Sequence, residues 1–386
     1  MKRASAFLLI CALAAPVMAG PVREFEGGIL YQADKINILV LSGSYKQIGR
    51  QYGGLAGDRI KEFYKVAIEE RFIAQEKIPY NLMKEFSSAA FALYPKRLKD
   101  ITYGMAETSG MELEKLIILE SILGLTFLQA EGGEDPGQCS ALAAWGDYTG
   151  DGPLVIGRNY DSTRFFKDEF APYLNAVVYR PDDGVPVALL AYAGEITSFT
   201  AMNAAGIFFE DNEAVKSGGA ESPSDRLVLY PSEVTFLMDY NNFPAFDAAM
   251  KTNLSNFAFI ANVATKDQAY SYEMTTKATR RRSGPGILAA TNDFVDPAWG
   301  LALPCDAADK SVQRRENLLK LGEKYKGKIT PRKMMEIMDI FFYEGGATWP
   351  KRTAYQVVAV PETLTLWLKL RDYQDWVRLE LERYFQ

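Results

Sequence analysis

The 386-residue chain contains no histidine. That absence removes the usual general base of Ser-His-Asp and Cys-His catalysis, and histidine-ligated zinc with it. Cysteine is scarce too: Cys11, Cys139 and Cys305 are the only three, too few for a disulfide framework or a four-thiolate zinc site. Positive charge is in deficit, with 43 Lys and Arg against 49 Asp and Glu and a net charge of −6. This balance argues against a nucleic acid or an anionic membrane surface as partner. No stretch reaches the ~20 apolar residues of a membrane-spanning helix. A P-loop, a dinucleotide fingerprint and internal repeats are all missing, and no cofactor or metal is implied.

The first residues have a character of their own. Lys2 and Arg3 precede an apolar run, Ala4 to Ala15, and Pro16-Val17-Met18-Ala19 ends it with small residues at the last and third-last positions. This pattern predicts a secretory signal peptide, residues 1–19, cut after Ala19, and a periplasmic or secreted mature protein. Its removal takes Lys2, Arg3 and Cys11 and moves the net charge from −6 to −8. Cys139 and Cys305 then remain where disulfides are permitted, either paired with each other or with at least one thiol free.

Along the mature chain, 20–34 reads as an irregular, Gly-containing lead-in and 36–41 as a short buried strand. Ile48, Tyr52, Leu55, Ile60, Phe63, Tyr64 and Ile68 fall near one stripe of a helix over 45–75, with further helices at 80–93, 95–108 and 112–129. The texture changes at Glu131-Gly132-Gly133-Glu134-Asp135-Pro136-Gly137-Gln138, a polar loop of the kind found at cleavable sites. Strands are expected after it at 139–147, 153–160, 173–180, 185–193, 196–201, 205–211, 256–264 and 268–275. Segment 213–226 reads as a surface loop. Helices return at 232–240, 243–252, 311–325 and 330–342, then strands at 353–360, 364–370 and around Val377-Leu379-Leu381. Grouped helices and long strand runs predict an α+β layered fold.

Cys139 stands where the polar loop meets a strand, Cys139-Ser140-Ala141-Leu142-Ala143-Ala144-Trp145. Its thiol can attack the carbonyl of Gln138, and hydrolysis of the resulting thioester would leave a new amino terminus on Cys139. One residue would then supply both nucleophile and base, since an α-amine has a pKa of about 8. The alternatives are a buried structural cysteine or a disulfide to Cys305. The strand Gly152 to Asp161 ends in Gly157-Arg158-Asn159-Tyr160-Asp161. Beside Cys139, Arg158 would lower the thiol pKa and Asp161 would hold the amine. The two face opposite sides of a regular strand, so a bend near Tyr160 is required.

These residues resemble the acyl-coenzyme A:6-aminopenicillanic acid acyltransferase family and are similar to its relatives, the choloylglycine (bile salt) hydrolases. The resemblance extends to Gly43-Ser44-Tyr45-Lys46-Gln47-Ile48-Gly49-Arg50-Gln51-Tyr52-Gly53 and to Ala354 through Pro361 with Leu366-Trp367, and so spans roughly 35–370. It implies a four-layer αββα N-terminal-nucleophile (Ntn) hydrolase sandwich, self-cleaved into a helical α chain, 20–138, and a catalytic β chain, 139–386. Carried over by position, Cys139 is the nucleophile with Arg158 and Asp161 beside it. Asn212, after the Asn203-to-Gly206 turn, matches the oxyanion-hole asparagine with a spacing about one residue different from that of the bile salt enzymes. Asn292 matches the second site asparagine. Arg314 of Ser311-Val312-Gln313-Arg314 completes the site, with Arg315 one residue away as the alternative.

The resemblance implies hydrolysis of a linear amide of a small N-acyl substrate, or acyl transfer to an amine. An exported location disfavours coenzyme A as donor, and therefore transfer. Aromatic residues near the motifs (Tyr160, Phe165, Phe166, Tyr192, Phe199, Phe208 and Phe209) suit either an apolar acyl group or ordinary core. A non-catalytic exported binding protein with a Cys139–Cys305 disulfide is the competing class. In the enzyme reading the α and β chains stay together, because the helices of 45–129 need the β-rich part to bury their apolar faces.

Overall fold

The computed structural model describes residues 20–121, 138–219, 229–303 and 310–386. The expected signal segment, loop residues 131–137, residues 220–226, Cys305 and the end of the 112–129 helix beyond Ser121 lie outside the described residues. Within them, β1 (Pro21–Phe25), β2 (Gly28–Ala33) and β3 (Ile36–Gly43) run antiparallel. The 20–34 segment, expected as irregular, is thus a hairpin. Its two turn residues, Glu26 and Gly27, both have positive φ (48° and 86°), which matches the twist of a two-residue hairpin. The apolar alternation that would announce it is missing because β1 is almost wholly exposed.

Helix α1 (Tyr45–Tyr64) continues in wider π-type turns through Gln75 and is followed by α2 (Tyr80–Ala92), α3 (Lys96–Ser109) and α4 (Leu113–Glu120). Beyond the undescribed linker come β4 (Ser140–Ala144), β5 (Val155–Asp161), β6 (Leu174–Pro181), β7 (Val187–Tyr192), β8 (Thr200–Asn203) and β9 (Phe208–Glu213). Helices α5 (Leu229–Asp239) and α6 (Phe243–Thr252) precede β10 (Phe259–Ala264), β11 (Ala269–Met274), β12 (Thr279–Arg282) and β13 (Ile287–Ala290). Helices α7 (Ser311–Lys324) and α8 (Pro331–Asp339) then lead to β14 (Thr353–Val360), β15 (Thr365–Leu370) and β16 (Gln374–Glu380). Two strands were not anticipated: Thr279–Arg282 carries three arginines and no apolar alternation, and Ile287–Ala290 is only four residues long. The strand expected at 196–201 starts at Thr200, because residues 196–197 bond to a helix instead.

The described strands form two sheets. A ten-stranded sheet runs β1-β2-β3-β6-β7-β8-β9-β10-β11-β12, and a six-stranded sheet runs β13-β4-β5-β14-β15-β16. Every pairing is antiparallel except β3 with β6. Helix α1 packs on β2, β3 and β6, with α3 against it, while α7 covers β13 and β4 and α8 covers β5 and β14. The sheets face each other through contacts such as Tyr160 stacked on Phe199, and the hydroxyls of Thr200 and Tyr355 at 3.0 Å. The architecture is a four-layer αββα sandwich of mostly antiparallel sheets, as the sequence implied.

The segment before Cys139, expected to be helical apart from a strand at 36–41, supplies three strands of the larger sheet. Asn37 to Gly43 pair in register with Asn175 to Pro181. The turn from β3 into α1 is a capping box. Ser44 Oγ accepts from the Gln47 N–H, and Gln47 Oε1 accepts from the Ser44 N–H at 2.9 Å. Helices α1 and α3 then approach so closely that only glycine fits. A Cβ on Gly49 would lie 1.9 Å from the Ile101 carbonyl oxygen, and one on Gly104 would lie 2.1 Å from that of Lys46.

At the end of α4, buried Glu120 accepts from the Ile196 N–H (2.6 Å), the Thr197 hydroxyl (2.5 Å) and the Tyr94 hydroxyl (3.2 Å). Burial nevertheless pushes its carboxyl up to about 7. Burial also holds Glu195 well above the carboxylate range, and the nearby Glu120 adds to the effect.

Two predictions follow from this packing. Gly104→Ala forces apart two helices whose contact is backbone on backbone, so denaturant unfolding should show a loss of about 2 kcal/mol despite the better helix propensity of Ala. A raised carboxyl pKa favours the protonated fold, so its stabilisation is present at acid pH and lost as pH rises through about 7. For Glu120, carried from 4.5 to about 7, roughly 3 kcal/mol depends on the proton. Thermal unfolding of a Cys139→Ala chain should therefore give a higher Tm at pH 5 than at pH 8, and Glu120→Gln should flatten that slope.

Candidate active site

Cys139 lies immediately before β4, 4% exposed, and its thiol is free rather than half of a disulfide. The thiol donates to the Asp161 carbonyl at 3.6 Å and accepts from an Arg158 Nη at 3.9 Å. Gln138 is held through both its backbone N–H and its carbonyl. Its N–H donates to the Asp161 carbonyl at 3.3 Å, and its carbonyl accepts from Arg314 Nη1, which also donates to the Cys139 carbonyl at 3.0 Å. The peptide bond expected to be cut therefore carries a guanidinium on its oxygen.

The β4–β5 ladder sets Ser140 opposite Asn159 and Ala141 opposite Arg158, so both ends of the Arg-Asn-Tyr-Asp run border Cys139. Arg158 is fully buried and reaches across to the larger sheet. It donates to the Phe199 carbonyl (2.5 Å) and the Asp211 carbonyl (2.8 Å), and it pairs with Glu210 at 2.7 Å. Neither side chain of that pair is exposed at all. Asn262 donates to the Glu210 carboxylate. Asp161 Oδ1 accepts from the Thr353 hydroxyl, whereas its buried Oδ2 has no partner. The irregularity expected near Tyr160 falls on the neighbouring strand. Thr353 pairs with Asp161 and Tyr355 with Tyr160, leaving Ala354 as an extra residue.

The two asparagines cross-link the sheets near their ends. Asn212 donates to the Thr291 carbonyl at 3.1 Å, and Asn292 donates to the Glu213 carbonyl at 2.8 Å. Asn292 Oδ1 accepts in turn from Arg314 Nη2 at 2.8 Å. Each side-chain amide has a second N–H beyond the bond it makes here. Arg314 is fully buried, while Arg315 turns to the β13 backbone and donates to the Ala289 carbonyl. Of the two arginines, Arg314 is the one that contacts the Gln138–Cys139 peptide. Hydrogen bonds thus link Cys139 with Arg158, and Gln138 with Arg314 and Asn292. Asn212 joins one residue away, through Thr291.

Arg158 lowers the thiol pKa as expected, but burial outweighs it, and in the intact chain the Cys139 thiol is pushed up to about 12. Burial is the main cause; Arg158 opposes it, and Asp161 and Glu210 add negative charge. Burial likewise raises Asp161 to about 7, against Arg314 and the Thr353 hydrogen bond. Among the aromatics, Tyr160 and Phe199 border the arginine, with the Arg158 guanidinium 5.5 Å from the Tyr160 ring. Phe165, Phe166 and Tyr192 pack instead with Phe63, Phe72 and Phe170 as core. Two residues escaped the sequence reading. Glu210 is one of four consecutive polar residues, Glu210 to Glu213, that end β9, and nothing local singles it out. Thr353 carried no signal, since it lies 192 residues from Asp161 in the chain.

No family model matches the chain, and no curated protein matches it. Among solved structures it is similar to the Caenorhabditis elegans N-acylethanolamine-hydrolyzing acid amidase ortholog. There the identity is 15% and the TM-score 0.44, covering 63% of this chain and 100% of that one. It is also similar to a variant of the conjugated bile acid hydrolase from Clostridium perfringens (12% identity, TM-score 0.45, covering 64% and 93%). A third is the penicillin V acylase from Agrobacterium tumefaciens (9%, TM-score 0.44, covering 63% and 86%).

Removing the charge of Glu210 leaves a buried guanidinium without its counter-ion. Glu210→Gln should lose about 3 kcal/mol or more in denaturant unfolding. In the same variant Cys139 should react faster with iodoacetamide at a fixed pH, because Arg158 then acts on the thiol uncompensated.

Proposed function

We propose that the chain is an exported, self-cleaving cysteine hydrolase of the Ntn type that cuts linear amide bonds of an N-acyl substrate. The observation that carries this reading is the Gln138–Cys139 peptide itself. A free thiol sits beside a carbonyl whose oxygen accepts from the buried Arg314 guanidinium. A cationic donor on that oxygen favours the anionic tetrahedral intermediate formed when the thiol adds to the carbon. Collapse breaks the C–N bond, the nitrogen keeps its electron pair and takes the proton released by the thiol, and Gln138 is left as a thioester on Cys139. Water then releases the Gln138 carboxylate and regenerates the thiol.

Asp161 would receive the liberated amine. Asp161 is a buried carboxyl with one oxygen engaged by Thr353 and the other unpartnered, and a nearby carboxylate would hold an ammonium there. In turnover the α-amine would accept the thiol proton as sulfur attacks the substrate carbonyl, then pass it to the departing amine. The acyl group would remain on sulfur until water removes it. The spare N–H groups of Asn212 and Asn292 are the candidate donors to the substrate oxyanion. Hydrolysis is preferred to transfer because an exported protein, as residues 1–19 suggest, meets little coenzyme A. Retention of the α chain is supported by the β3–β6 ladder and by Glu120, contacts that a cut at Gln138 leaves intact.

Intact mass and amino-terminal sequencing of the purified protein test the reading. Wild type should give two polypeptides that co-purify, one beginning at Cys139, and Cys139→Ala should stay whole. An active wild-type protein with an unbroken 138–139 bond would overturn it.

A further inference from the structure

Thr353 has no assigned part in the site, yet its hydroxyl is committed on both sides. It lies at the start of β14, fully buried, where Ala354 interrupts the register with β5. The Trp349 N–H donates to Thr353 Oγ1 at 2.9 Å, and the Thr353 N–H returns to the Trp349 carbonyl at 3.1 Å, closing a tight turn over 349–353. A threonine hydroxyl has one proton. With its oxygen receiving the Trp349 N–H, that proton is directed to Asp161 Oδ1. The carboxyl is thereby fixed in rotation, with Oδ1 occupied and Oδ2 open.

We propose that Thr353 is a positioning residue that orients the Asp161 carboxylate so that its free oxygen receives the α-amine created on Cys139; this rests on the self-cleavage reading above. Valine has nearly the same shape but no hydroxyl, so the packing of a fully buried side chain survives while the directing bond is lost. The charged groups around Asp161 are Arg314 from α7, Arg158 from β5 and Arg352 from the approach to β14, and all three favour its ionised form. They attract it without fixing which oxygen turns to the amine. The Thr353 hydroxyl does fix it, because its own geometry is set by the turn.

The consequence concerns the amine. A carboxylate held against an ammonium raises the pKa of that ammonium; one free to rotate does so less. Without the hydroxyl the amine should also be displaced from the thiol, and a misplacement of this kind costs on the order of 10- to 100-fold in rate.

The test uses full-length wild type, Thr353→Val and Thr353→Ser, each folded by circular dichroism and thermal unfolding, with p-nitrophenyl butyrate as an activated acyl probe. Intact mass first establishes whether each protein is cut at 138–139. In cut wild type, release of p-nitrophenol should fall on the acid side as the amine protonates. Thr353→Val should be slower by 10-fold or more, with that acid limb moved to lower pH, and Thr353→Ser should retain both wild-type rate and limb. Should Thr353→Val fail to fold, Thr353→Ala takes its place in the comparison. A variant without the hydroxyl that matches wild type in rate and limb overturns the proposal, as does a serine variant as impaired as valine. Uncut, unreactive wild type would instead sink the self-cleavage reading, so the two failures are distinguishable.

Discussion

Two fully buried charges, Arg158 and Glu210, hold the two sheets in their relation at the site. The arginine rises from the smaller sheet and ends among groups of the larger one, the carboxylate of Glu210 and the carbonyls of Phe199 and Asp211. Such a pair gives little net stability, since desolvating both ions consumes most of their attraction. Its effect is on specificity. Any shift of β5 against β9 would strand a guanidinium among apolar neighbours, so the sheets have one acceptable register at this end.

Burial keeps the Cys139 thiol protonated in the intact chain, and Glu210 of the same pair adds to this in a small way. Glu210 neutralises the cation nearest Cys139, and with the thiol withdrawn from water the protonated form prevails up to about 12. In the proposed scheme, cutting the 138–139 bond changes the charge balance without moving an element. It removes a peptide group and adds a basic nitrogen on the residue that bears the sulfur, beside a carboxyl with a vacant oxygen. A proton acceptor then lies within one residue of the thiol, which is the arrangement that a chain without histidine needs.

The sequence made much of this legible, for identifiable reasons. Helices over 45–64 and 96–109 were readable because their buried faces repeat at helical spacing, and β4 through β7 because each carries a short apolar run. The hairpin of 21–33 was invisible because an exposed strand has no core face to mark it. Arg158 and Asp161 were read from the end of their strand, and Asn212, Asn292 and Arg314 were named from a resemblance; the fold brings them near Gln138 and Cys139. Their partners were harder to foresee. Glu210 and Thr353 act through cross-sheet and cross-strand contacts, which leave no local periodicity. Arg158 does favour the thiolate, as the motif suggests, but the burial that outweighs it and the counter-ion beside it are not visible from the motif.

The segment ahead of Cys139 is part of the fold rather than a removable cover. β3 lies between β2 and β6 in the larger sheet, and α1 seals the outer face of that sheet. Against α1 lies α3, at a distance that Gly49, Gly53 and Gly104 permit. Glu120, at the far end of the segment, ties down residues 196–197, and two residues further along the Phe199 carbonyl receives Arg158. A physical path therefore runs from the last described helix of this segment to the cation beside the thiol. A cut at 138–139 would sever a connection in the chain and none of these contacts. Displacing the segment, by contrast, would open the larger sheet at β6 and release the loop that holds Arg158 in place.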